Sequence, residues 1–159
     1  FVMRQSRKNT ILPRPICQAM MKLSSVSDGE FRYIVYFATK AARTQLQAFV
    51  TTLSLAITAT QTGPRHYPNA MTFRTSQRGP FVTFKLMYAD TDNRCFVLVT
   101  NDGGFGKRAC RLLQSSLTIG RVVPRACISV YTQNCPQESW NMYHQGCPTR
   151  IPHIVEWGR

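Results

Sequence analysis

The sequence predicts an all-β protein with one late helix: an up-and-down antiparallel β-barrel packed against a C-terminal α-helix. Three observations lead there. Strand-like segments follow one another from residue 31 to residue 113 with short turns between them. A helical repeat of any strength appears only after Pro124. Five of the six cysteines fall between Arg94 and Cys147, two on predicted strands and two on that helix. A helix stapled to a sheet is the expected outcome.

Residues 1–16 carry Arg4, Arg7, Lys8 and Arg14 with prolines at 13 and 15, and read as a solvated basic arm that Cys17 ends. Residues 17–159 are expected to form a single barrel domain. A weak helical signal over 17–30 runs into a turn at Ser27-Asp28-Gly29. Phe31–Lys40 is rich in β-branched and aromatic residues, and Gln47–Thr60 alternates with Thr51, Leu53, Leu55 and Ile57 on one face, so both read as strands. Ala70–Thr75 and Pro80–Ala89 are two more, and Asp90-Thr91-Asp92-Asn93 is a tight turn into a strand holding Cys95. A loop rich in Asn, Asp and Gly over 101–106 then leads to a strand holding Cys110. Pro124 suits a first helical turn, and Ile128, Tyr131 and Cys135 recur at helical spacing. Successive strands with short turns close into a barrel at this chain length.

The longest apolar run falls far short of the ~20 residues of a membrane helix. Six cysteines without a Cys-x-x-Cys pair, and three scattered histidines, point to disulfides and secretion rather than to a metal site. No metal and no cofactor are expected. Net charge is +13, and no acidic residue stands between Glu30 and Asp90, whereas Arg32, Arg65, Arg74, Arg78 and Lys85 all do. Such a balance favours anionic partners, with plain solubility as the bland alternative.

The late segments also carry a family pattern. Asn93-Arg94-Cys95-Phe96-Val97-Leu98, Cys110-Arg111-Leu112, Val123-Pro124-Arg125-Ala126-Cys127 followed by Tyr131 and Cys135, and Tyr143-His144-Gln145-Gly146-Cys147 recur in the expected order. This pattern resembles the tick salivary lipocalins, the histamine-binding-protein family of blood-feeding arthropods. The resemblance implies a lipocalin-like barrel with its helix outside and a Cys95–Cys127 disulfide. It leaves the pairing of Cys17, Cys110, Cys135 and Cys147 open. The chain departs from several relatives in lacking a cysteine after its first strand, a role for which Cys17 is the candidate.

If Cys95 is bonded to an outer helix, it faces outward with Val97 and Val99, and Phe96 and Leu98 point into the cavity. If Cys110 is tied outside as well, Arg111 faces inward and is the sharpest ligand-binding candidate, against the reading of a solvated arginine at the rim. In the strand before Asp90, turn length decides. A two- or four-residue turn turns Lys85 and Met87 inward, and a three-residue turn instead selects Phe84, Leu86 and Tyr88. Tyr33, Tyr36, Phe37, Phe73 and Arg74 complete the candidate lining, with ordinary core packing as the rival for each aromatic.

A cationic amine would need buried carboxylates, and strands 31–89 contain none. An apolar cavity with an arginine suits a fatty acid or eicosanoid. The expected function is therefore a secreted, monomeric, non-enzymatic binder of a host lipid mediator, located in saliva if the resemblance holds. The principal rival is a basic module for a host protein or a glycosaminoglycan such as heparan sulfate, and a biogenic amine binder comes next. A secreted ribonuclease using His66 and His144 is the remaining alternative, without a supporting motif.

Overall fold

The computed structural model describes residues 1–6, 16–38, 46–60, 63, 65–101, 108–135, 138–150 and 154–157, with the backbone alone at 149–150 and 154–157. Its frame is a run of antiparallel strands: β2 (Ile16–Ser27), β3 (Glu30–Ala38), β4 (Leu46–Ala56), β5 (Ala70–Arg74), β6 (Phe81–Asp90), β7 (Cys95–Asn101) and β8 (Arg108–Gln114). Each pairs with the next, as short turns between alternating segments dictate. β1 (Val2–Ser6) lies beyond β8, and β9 (Ser139–Asn141) lies beyond β1. β10 (Ile154–Trp157) runs parallel to the start of β4. The sheet curls until its ends meet, where the Cys17 N–H donates to the Met142 carbonyl at 2.8 Å. A disulfide between Cys17 and Cys147 locks the same seam.

Two stretches depart from the sequence reading. Val2–Ser6 is no arm: it pairs on one side with β8 and on the other with β9. Val2, Gln5 and Ser6 are buried, and the Ser6 hydroxyl accepts the Cys110 N–H at 2.7 Å. The edge of β8 needs partners for its backbone groups, and that need outweighs the basic character of the segment. Residues 7–15 lie outside the described residues, as does the glycine loop over 102–107. The helical signal after Cys17 is likewise overruled. β2 satisfies its backbone against β3, a tertiary ladder that exceeds a weak local propensity.

The helix α1 (Arg125–Asn134) follows Pro124 and packs on the outer face of β7 and β8. Cys95, Val97, Cys110 and Leu112 meet Cys127, Tyr131 and Cys135 there. Two disulfides cross this interface, Cys95–Cys127 and Cys110–Cys135. A one-turn helix, α2 (Cys147–Arg150), comes after β9. The opposite faces of the same strands build the interior core from Leu53, Phe73, Val82, Phe84 and Leu98. Among the described residues no helix is long and apolar enough to cross a membrane.

Candidate functional site: a barrel cavity with a buried arginine

A cavity of about 350 Å³ opens inside the barrel. Its walls are mainly apolar side chains from eight strands, β1 to β8, among them Met20, Leu53, Phe73, Leu98 and Leu113. Alternation explains the lining, since Leu53, Phe73 and Leu98 each sit one residue from an outward-facing neighbour. At ~30 Å³ per water molecule the space would hold about a dozen waters, within the size range of small-molecule sites.

Arg111 dominates the chemistry. Its side chain is 1% exposed, and its Nε donates to Oε1 of Gln5 at 2.8 Å. Its Cζ lies 5.4 Å from the centre of the Phe84 ring, a cation–π distance. Nη2 is buried without a hydrogen-bond partner. Burial draws the guanidinium down from its ordinary value to about 9, with no carboxylate opposing it among the described residues, so it is still charged at neutral pH. Gln114, three residues on, donates from Nε2 to the Thr118 carbonyl at 2.9 Å, and its Oε1 is buried and unpartnered. The cavity thus offers one unmet donor, Nη2 of Arg111, in an apolar surround.

Comparison with known proteins fits this architecture. The family model described as tick histamine binding protein matches residues 5–149. The chain belongs to that family. The solved structure of Japanin from Rhipicephalus appendiculatus bound to cholesterol matches over 91% of each chain, with a TM-score of 0.62 at 13% identity. That likeness establishes the lipocalin-type fold. A comparison with curated protein sequences finds no match.

Within this family member the residues singled out from sequence divide. Tyr33, Phe73, Phe96, Leu98 and Arg111 line the cavity. Phe84 is fully buried behind them, its ring stacked on Phe73 at 5.2 Å between centroids. Lys85 is displaced to the outer face. The turn at residues 91–94, with Asp90 opposite Cys95, favours an inward Lys85, but a bulge between Leu86 and Tyr88 reverses the parity. Leu86 then stands opposite Leu98, and Lys85 opposite the outward Val99. Arg74 also lies outside, over the Phe81 ring at 4.6 Å, because its strand neighbour Phe73 takes the inward position. Tyr36 packs instead with Ala19, Ile34 and Ala48, and Phe37 against Phe49 at 5.9 Å.

Gln5 and Gln114 escaped the sequence reading. Gln5 was hidden in a segment judged by its charges, and no periodicity marks a glutamine as a partner for a distant arginine. Among the described residues one grouping, Cys17, His144 and Cys147, has ligand atoms close enough for a metal ion. Both of its sulfurs are bonded to each other, which leaves His144 as its single available ligand.

Proposed function

We propose that this lipocalin binds a small, mainly apolar molecule bearing an anionic group, of the fatty-acid or eicosanoid class. The unpartnered Nη2 of buried Arg111 carries the reading. A carboxylate would accept a charge-assisted hydrogen bond from it and compensate a buried cation. Each buried CH₂ of the tail contributes ~0.8 kcal/mol. The cholesterol held by Japanin supports an apolar cargo for this type of barrel. The family's description names histamine, but a cationic amine would meet Arg111 and no carboxylate among the described lining residues.

The action is stoichiometric sequestration by one barrel domain, secreted and monomeric, with no catalytic turnover. Three disulfides suit an extracellular setting. Native mass spectrometry of protein purified from an oxidising host, followed by extraction of bound lipid, tests this. The expected result is a carboxylate lipid near unit occupancy. A protein that is empty and takes up neither a hydroxylated fatty acid nor its non-hydroxylated parent would refute it.

A further inference from the structure

The outer face of the sheet carries a feature that the cavity does not use. Register sets Arg32 beside Thr52 on β3 and β4, and Arg74 beside Phe81 on β5 and β6. One row along, the hydroxyls of Thr72 and Thr83 meet at 2.7 Å. Beyond them Lys85 stands opposite Val99. Arg32 and Lys85 are exposed, as is Arg78 in the turn after β5. Glu30 is the one acidic residue on this face of β3 to β6 before Asp90; it stands at the β3 edge of the Thr72–Thr83 row, opposite Ser54, where it accepts a hydrogen bond from the Ser27 hydroxyl at 3.3 Å.

Two hollows flank Phe81. One, of about 440 Å³, is lined by Thr83, Lys85, Val99 and Asn101. The other, of about 300 Å³, is lined by Val50, Thr52, Arg74 and Gln77. Phe81 itself is 52% exposed and forms the ridge between them.

We propose that this face binds a sulfated glycosaminoglycan chain lying across the strands. From β3 to β7 the face spans about 19 Å at ~4.8 Å per strand, enough for several sugar units. Arg32, Arg74, Arg78 and Lys85 meet sulfates and carboxylates, the threonine hydroxyls meet sugar hydroxyls, and the Phe81 ring offers a flat apolar contact to a sugar face. A single exposed ring does not suit single-stranded nucleic acid, which stacks successive bases on several aromatics. Shallow hydroxyl-lined hollows also lack the deep apolar pocket that anchors a protein partner. A sink for a lipid mediator held in this way would stay at the cell surface where the mediator is released.

The test compares two charge-matched variants for heparin-oligosaccharide binding by surface plasmon resonance at several salt concentrations. One is Arg32→Gln/Arg78→Gln/Lys85→Gln. The other is Arg94→Gln/Arg121→Gln/Arg125→Gln, three exposed arginines toward the other end of β6 and the start of α1. All six side chains are exposed, so both variants should melt with the wild type. The face variant should bind at least tenfold more weakly, with a log–log salt slope shallower by about two to three. The control should change less than threefold. Equal losses in both variants would reduce the effect to net charge and overturn the proposal, as would tighter binding of RNA or an acidic protein than of heparin. Lipid occupancy of the cavity should be the same in all three proteins, so failure here is distinguishable from failure of the cavity reading.

Discussion

Replacing Arg111 by methionine separates two roles that a buried arginine can have. Burial that lowers the guanidinium to about 9 amounts to a penalty on the order of several kcal/mol against the charged side chain. That penalty acts in full below pH 9, where both the folded and unfolded states hold the proton, and fades as pH rises from there toward the ordinary arginine value. The hydrogen bond to Gln5 and the Phe84 contact return about 1–2 kcal/mol. Arg111→Met should therefore leave the ligand-free protein as stable at pH 7 or stabilise it by about 1–4 kcal/mol, as seen when buried charges give way to apolar groups. Affinity for a carboxylate lipid should move the other way and fall by about 1.5–3 kcal/mol, a factor of roughly ten to a hundred and fifty. Urea melts and isothermal titration with the acid and its methyl ester read both quantities. The wild type should prefer the acid and the variant should not discriminate. A variant that unfolds more easily and still prefers the acid would show Arg111 to be a structural residue and sink the argument.

Other consequences follow from the same geometry. Affinity for the carboxylate should be flat from pH 7 to 8.5 and fall above pH 9 as Arg111 loses its proton, a trend that titration calorimetry across that range checks. Phe84→Ala should cost about 3–5 kcal/mol in a urea melt, because the ring is fully buried against Phe73, whereas Lys85→Gln one residue on should leave both stability and lipid binding unchanged. Removing Cys17–Cys147, which spans 130 residues, should cost about 5 kcal/mol by loop entropy. Removing Cys110–Cys135, across 25 residues, should cost about 3.5 kcal/mol, and equal losses in calorimetry would contradict the entropic account.

The barrel was legible because its signals are local. Alternation in β4, the turn residues before Cys95 and the proline at the head of α1 each constrain a few neighbouring residues. The outward Cys95 and Cys110 then imply the inward Phe96, Leu98 and Arg111. What stayed hidden depends on contacts distant in sequence. The bulge at Met87 inverts which side of β6 faces the cavity, and nothing in Leu86-Met87-Tyr88 announces it. β1 is drawn in because the edge of β8 away from β7 would otherwise be open, a fact about the sheet and not about Val2–Ser6. Gln5 reaches Arg111 across 106 positions of sequence.

The three disulfides bear on why the interior can hold an imperfectly satisfied cation. α1 is cross-linked to the outer face at two points, and the seam between β2 and the C-terminal segment at a third. By loop entropy each cross-link stabilises the fold by about 3–5 kcal/mol without occupying any of the cavity. That sum exceeds the penalty of burying Arg111, so the barrel can stay folded with a donor left waiting. A fully apolar core would be more stable and would give a carboxylate nothing to bind. The staples outside and the unmet arginine inside are thus two parts of one solution, in which stability is carried by covalent links so that the interior is free to recognise a ligand.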